Sequence, residues 1–167
     1  DDAIITNGAG NYASWVHLFY RFRGPGTQLA PTSGSMGYGL PAAVAAKIRH
    51  PDREVVCFAG DGCFQMTGME FGTAVQRGAA IVVVVVDNGM YGTIRMHQER
   101  RFPRRVHATD IVNPDFAALA RAFGGVGITV ERTQEFPDAL AAALAADVPA
   151  LIHMRLDPEA IAPGTTL

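Results

Sequence analysis

Two cysteines in 167 residues, no excess of either charge and no long apolar run are the first things this sequence withholds. Cys57 and Cys63 form neither a disulfide framework nor a zinc-ligand spacing, and Cys57 lies inside an apolar run. That usage suits a reducing compartment, and a cytoplasmic location is expected. The net charge is −2 and no basic stripe is visible, so nucleic acid is not an expected partner. No apolar segment reaches the roughly 18 residues that a bilayer-spanning helix needs, and none reads as a signal peptide, so no membrane partner is expected. There is no internal repeat, no low-complexity tract and no Gly-x-Gly-x-x-Gly turn of the dinucleotide-binding kind. His17, His50, His107 and His153 show no spacing that suggests a metal site.

What is present describes a globular α/β chain. Apolar residues make up 49% and charged residues 18%, enough for a sizeable core at a length that suits one domain over residues 1–167. Strand-like runs fall at 3–6, 28–30, 54–59, 81–86, 127–131 and 150–156. Helix-like segments lie between them at 13–22, 41–49, 67–77, 115–123 and 135–146. Pro41 suits a first helical turn, Asn113 a cap ahead of Pro114, and Gly124-Gly125 a helix stop. Ile-Val-Val-Val-Val-Val at 81–86 has no polar alternation, which marks a central parallel strand buried on both faces. The alternation predicts a three-layer α/β/α, doubly wound, mainly parallel sheet of about six strands.

In such sheets ligands collect at the carboxyl ends of strands. Two strands here end in polar clusters: 54–59 runs into Gly60-Asp61-Gly62, and 81–86 into Asp87-Asn88-Gly89. Glycines let a backbone approach a ligand closely, and a helix starting near Thr67 would aim its first amides at an anion. Asp61 would repel a phosphate unless a cation sat between them, so the turn reads as a metal-bridged phosphate site of the Mg²⁺ type. Gly-Asp-Gly alone is a common turn, and Asp-Asn-Gly alone a good hairpin turn. Residues 90–99 lack the alternation of a returning strand, which frees Asn88 to offer its side-chain oxygen. Arg100, Arg101, Arg104 and Arg105, the one basic cluster, read as a solvated loop.

Gly60-Asp61-Gly62, followed after residues 63–87 by Asn88, resembles the bipartite motif of thiamine diphosphate-dependent enzymes. The resemblance covers nearly the whole chain and is strongest to the C-terminal, diphosphate-binding domain of the acetolactate synthase-like group. The stretch 32–43 resembles that group's loop below the aminopyrimidine ring, and Gly10-Asn11-Tyr12 stands where the group has glycine-glutamine-histidine. The resemblance implies thiamine diphosphate and Mg²⁺ as cofactors, with Asp61, Asn88 and the Met90 carbonyl as metal ligands. It places Asn11, Tyr12, Gly62 and Cys63 on the diphosphate, with Tyr91, Gly92 and Thr93 among the cofactor-binding positions. Gly34, Ser35 and Met36 fall in the loop below the aminopyrimidine; Met36 would wedge between the rings, although by itself it reads as a core residue.

The implied activity is decarboxylation of a 2-oxo acid, joining of the resulting carbanion to an acceptor, or both. The activating glutamate is implied to lie on a pyrimidine-binding domain of the same or another chain, usually in a homo-oligomer, which leaves no catalytic residue in this chain. Glu70 reads as structural or solvated. His97 stands where acetohydroxyacid synthases have a tryptophan, and either meets substrate or faces solvent. The opening at Asp1, directly before a strand, reads as a piece of a longer enzyme. The alternatives are a separate cofactor-binding subunit of a split 2-oxo acid decarboxylase, or a non-catalytic nucleotide-binding relic.

Overall fold

A six-stranded sheet forms the centre of the computed structural model, which describes residues 2–166. Its strands are β1 (Ile4–Asn7), β2 (Gln28–Leu29), β3 (Val55–Gly60), β4 (Val82–Asp87), β5 (Val126–Val130) and β6 (Ala150–Arg155). They run in the order β2-β1-β3-β4-β6-β5, and every pairing is parallel. Helices α1 (Ala13–Phe19), α2 (Gly39–Arg49), α3 (Asp61–Thr67), α4 (Glu70–Gln76), α5 (Gly92–Arg101), α6 (Phe116–Ala122) and α7 (Phe136–Leu144) connect them. A small antiparallel hairpin, β7 (Ala160–Ala162) with β8 (Thr165–Thr166), follows the last sheet strand.

The valine run explains the layering. Val83 and Val85 of β4 enter one core with Leu40, Phe64, Phe71 and Phe116, while Val82, Val84 and Val86 enter another with Ala139, Ala143 and Ile152. Successive side chains of a strand point to opposite faces, so a strand covered on both faces has no use for a polar residue. Each fully buried valine contributes roughly 1.5–3 kcal/mol relative to exposure, which makes β4 the anchor of the sheet. Phe64 and Phe116 meet edge to face, with ring centroids 5.2 Å apart, joining α3 to α6 over one face.

Several sequence expectations needed correction. The helix expected over 67–77 is two helices, and the first begins at Asp61, immediately after β3; the chain breaks at Gly68 and Met69 before α4. Asp61 is therefore the buried first residue of a helix and not part of a surface turn. The helix expected to reach 22 ends at Phe19. Of the basic cluster read as a solvated loop, Arg100 and Arg101 lie in the last turn of α5. The hairpin at 160–166 was not foreseen. Asn113 does not cap α6; Asp115 does, accepting a bond of 2.9 Å from the Ala118 amide.

The backbone of α6 lies so close to β5 that a Cβ built on Gly127 would overlap the Ala117 carbonyl. Overpacking typically costs about 1–3 kcal/mol, and here the obstacle is backbone that cannot rotate away. Gly127→Ala should lower the unfolding free energy by at least that amount, whereas Gly24→Ser, at a glycine with open space around it and no positive φ, should cost less; chemical denaturation of both variants checks the comparison.

Candidate functional site

Parallel pairing decides where the polar groups meet. Gly60 of β3 lies opposite Val86 of β4, and Asp87 lies opposite Arg155 of β6, so Asp61 and Asp87 follow one another across adjacent strand ends. The loop after β1 arrives beside them because chain order switches between β1 and β3: β2 lies on one side of β1 and β3 on the other. Such a switch opens a crevice outside the strand ends. The crevice here encloses about 580 Å³ counting its open side, and Gly10, Tyr12, Asp61, Cys63, Asn88 and Tyr91 are among its lining residues.

Most of the sequence-predicted positions converge there. Asn11, Tyr12, Met36, Asp61, Gly62, Cys63, Asn88, Met90, Tyr91, Gly92 and Thr93 all line the crevice. Gly34 and Ser35 do not: both are exposed, Gly34 at a φ of 68° beside a neighbouring concavity, and Ser35 paired with the Ser33 hydroxyl at 2.7 Å. Met36 packs partly buried against the core and also lines the crevice. His97 is exposed on α5, and Arg100, Arg101, Arg104 and Arg105 are likewise exposed. Trp15, Ile94 and Leu156 line the crevice without a sequence signal that marked them.

Glycines permit the close packing. A Cβ on Gly60 would lie 3.0 Å from the Tyr12 ring, and one on Gly62 would lie 2.7 Å from the Tyr91 ring. Tyr12 directs its hydroxyl to the Cys63 sulfur at 3.6 Å, and the Cys63 thiol in turn reaches the Ala9 carbonyl at 3.0 Å. Burial, with Cys63 alongside, pushes the Tyr12 phenol above its ordinary range, so it stays neutral. The Asn11 amide donates to the Thr93 hydroxyl at 3.1 Å, and that hydroxyl donates back to Asn11 Oδ1 at 3.0 Å. The first loop is thereby clasped to α5.

Asp61 is 3% exposed, and its carboxylate is held on several sides. Oδ1 accepts from the Gly62 amide at 2.8 Å; Oδ2 accepts from the Gly89 amide at 3.0 Å and from Asn113 Nδ2 at 2.8 Å. Asn113 Nδ2 also donates to Asp87 Oδ1 at 2.7 Å, and Asp87 Oδ2 meets His153 Nε2 at 2.7 Å. Burial raises the Asp61 pKa, opposed by the bonds from Asn113 and Gly62 and reinforced by the charge of Asp87. Burial also pushes Asp87 upward, yet the bonds from His153, Asn113 and Gly89 outweigh it and hold Asp87 below the ordinary carboxylate value. Sequence reasoning missed Asn113 and left His153 unassigned, because both act across more than 50 residues of chain.

Residues 8–154 match the family described as thiamine pyrophosphate enzyme, C-terminal TPP binding domain. The chain belongs to this family. It is 38% identical over 93% of its length to the acetolactate synthase large subunit of Parasynechococcus marenigrum, and 35% identical over 93% of its length to the acetolactate synthase isozyme 2 large subunit of Escherichia coli. It spans only 25% and 29% of those proteins, about a quarter of their length. Among solved structures it resembles the thiamine diphosphate-dependent 4-hydroxybenzoylformate decarboxylase of Rhodococcus jostii RHA1, with a TM-score of 0.87 and 32% identity over 94% of this chain and 30% of that one.

Helix α5 interrupts an antiparallel return. Tyr91 donates to Thr109 at 2.8 Å and Ile111 to Gly89 at 2.8 Å, which clasps both ends of the excursion while α5 itself buries no residue. Few buried apolar contacts place such a segment among the first to open. Hydrogen exchange without cofactor should be faster across 93–108 than across β4, and thiamine diphosphate with Mg²⁺ should slow the α5 amides selectively; equal protection of the two segments without cofactor would contradict this.

Proposed function

We propose that the crevice is the diphosphate half of a thiamine diphosphate site, in which Asp61, Asn88 and the Met90 carbonyl would hold a Mg²⁺. One observation carries the reading: a carboxylate is buried at Asp61 with hydrogen bonds but without a cationic side chain in ion-pair contact among the described residues. Buried charges are normally paired or bound to metal. A carboxylate offers about four lone-pair directions, and three at Asp61 are occupied by bonds from protein. Among the described residues Asn88 Oδ1 accepts only a long bond of 3.3 Å from the Met90 amide, and the Met90 carbonyl, which accepts from Gly92, keeps a second lone pair. Carboxylate, amide and carbonyl oxygens are the hard donors that Mg²⁺ takes, sharing its remaining places with phosphate and water.

The residues of this chain then bind and orient. Gly62, Cys63, Asn11 and Tyr12 face the diphosphate, followed by Tyr91, Gly92 and Thr93. Met36 would lie against the cofactor between its rings, and Gly34 and Ser35 would lie on the aminopyrimidine side. When bound, the thiazolium ring supplies the electron sink for loss of carbon dioxide from a 2-oxo acid. The solved relative is by its name a thiamine diphosphate-dependent decarboxylase of 4-hydroxybenzoylformate, a 2-oxo acid, which supports the same substrate class here. A pyrimidine-binding domain, on the same or a second chain of a cytoplasmic homo-oligomer, supplies the activating glutamate.

Outer-shell partners alone account for about 10–100-fold in metal affinity, and a ligand should matter at least as much. Asp61→Asn and Asn88→Ala should each weaken thiamine diphosphate binding at fixed Mg²⁺ by more than about 10-fold, read by calorimetry on the protein that carries this chain. Parental affinity in both variants would remove the metal assignment. The chain of residues 1–167 by itself, with cofactor and Mg²⁺, should consume no 2-oxo acid above background; turnover of pyruvate by it would place a complete catalytic set within these residues.

A further inference from the structure

His153 is a buried imidazole in the middle of an apolar strand, and the metal site as proposed makes no use of it. It lies on β6 opposite Val85, 1% exposed, with its ring edge-on to Phe116 at 5.0 Å between centroids. Its Nε2 contacts Asp87 Oδ2 at 2.7 Å, while Nδ1 has no hydrogen-bond partner among the described residues. Asp115 Oδ1 lies 3.9 Å from Nδ1, beyond hydrogen-bond reach, and a buried ring nitrogen without a hydrogen bond is costly to keep. A leucine or phenylalanine would fill the same apolar space without that cost, so the side-chain bond to Asp87, the one hydrogen bond its ring makes among the described residues, is what distinguishes His153.

That bond is the first of a line leading to the metal ligand. Asp87 Oδ1 accepts one N–H of the Asn113 amide, and Asp61 Oδ2 accepts from the same nitrogen. The Gly89 amide is shared between the same two carboxylates, at 3.0 Å to each. Asn113 cannot turn over, because its Oδ1 accepts from Gln65 Nε2 at 2.6 Å and both carboxylates require a donor. A rotation of Asp87 would therefore pull the Asn113 amide from Asp61, and among the described residues only His153 holds the far oxygen of Asp87.

We infer that His153 is a positioning residue for the metal site: acting through Asp87 and Asn113, it fixes the plane of the Asp61 carboxylate in the orientation a small divalent cation requires. This rests on the assignment of Asp61 as a Mg²⁺ ligand. Mg²⁺ demands near-ideal octahedral geometry, whereas Ca²⁺ accepts irregular sites. Loosening Asp61 should thus weaken Mg²⁺ more than Ca²⁺, a distinction that a general loss of stability would not produce.

The test titrates Mg²⁺ and Ca²⁺ separately in the presence of thiamine diphosphate, by calorimetry, on the full protein carrying this chain. In His153→Phe, which keeps the packing on Phe116 and removes the bond, Mg²⁺ affinity should fall by about 10–100-fold, as for other outer-shell partners, with Ca²⁺ affinity changed much less. His153→Gln, whose terminal amide can donate to Asp87, should recover most of the Mg²⁺ affinity. Asn113→Ala, at a half-buried residue that carries no core packing, should reproduce the selective loss even if His153→Phe fails to fold. Parental Mg²⁺ affinity in His153→Phe or in Asn113→Ala, an equal loss for both ions, or failure of His153→Gln to restore binding where His153→Phe folds would overturn the inference. Absence of Mg²⁺-dependent cofactor binding in the parent would instead remove the metal site itself, and the inference with it.

Discussion

Two carboxylates stand side by side at the ends of adjacent parallel strands, and much of the architecture around them serves to make that tolerable. Register leaves no choice in the matter: with Gly60 opposite Val86, the residues that follow are neighbours. Like charges in near contact at a protein surface repel by an energy on the order of 4 kcal/mol, and Asp61 is also removed from water. Shared donors offset this. Asn113 and the Gly89 amide each serve both carboxylates, and His153 serves Asp87. The division is unequal. Asp87 ends with its ionised form favoured, and Asp61 with its ionised form disfavoured, so the unmet demand for positive charge is concentrated on the residue that lines the crevice.

The detour between Gly89 and Ile111 follows from the same demand. A direct turn after β4 would bring the chain back without Asn113. Instead the polypeptide leaves, forms α5, and returns antiparallel to its own exit, pairing Met90 with Asp110. The return places Asn113 over the strand ends, and the departure places Thr93 where it clasps Asn11. One excursion thus supplies a bridge between two carboxylates and a tie between two walls of the crevice. The glycines of β3 and α3 let the tyrosine rings of those same walls lie directly on the backbone.

How much of this was legible in the sequence depends on the range of each interaction. The uninterrupted valines of β4 announced a strand covered on both faces, because burial on two sides leaves a mark on every residue. That the loops after β3 and β4 meet could be read because adjacent parallel strands bring their following residues together. Helix α5 left no such mark: it buries nothing, so it has no apolar stripe to repeat at helical spacing. Asn113 looked like a cap because it precedes a proline, but Asp115, two residues later, takes that role and frees Asn113 for distant partners. The start of α3 was misplaced because Gly62 reads as turn chemistry, while in the folded chain the Tyr91 ring occupies the space a side chain would need.

The departures at Asn11 and Tyr12 have a structural consequence of their own. Asn11 is short enough to stay bound to Thr93 on one side of the crevice, and it also donates to the Met96 sulfur at 3.6 Å. Tyr12 lies flat on Gly60 and reaches Cys63 with its hydroxyl, which burial keeps neutral. Neither side chain brings a positive charge to the place where a diphosphate would rest. Backbone amides and polar side chains can position phosphate oxygens, but they carry no net charge against a dianion or trianion. Under the proposed reading, compensation would come from a cation held by Asp61, which would make the neutrality of this loop and the buried carboxylate opposite it two sides of one electrostatic arrangement.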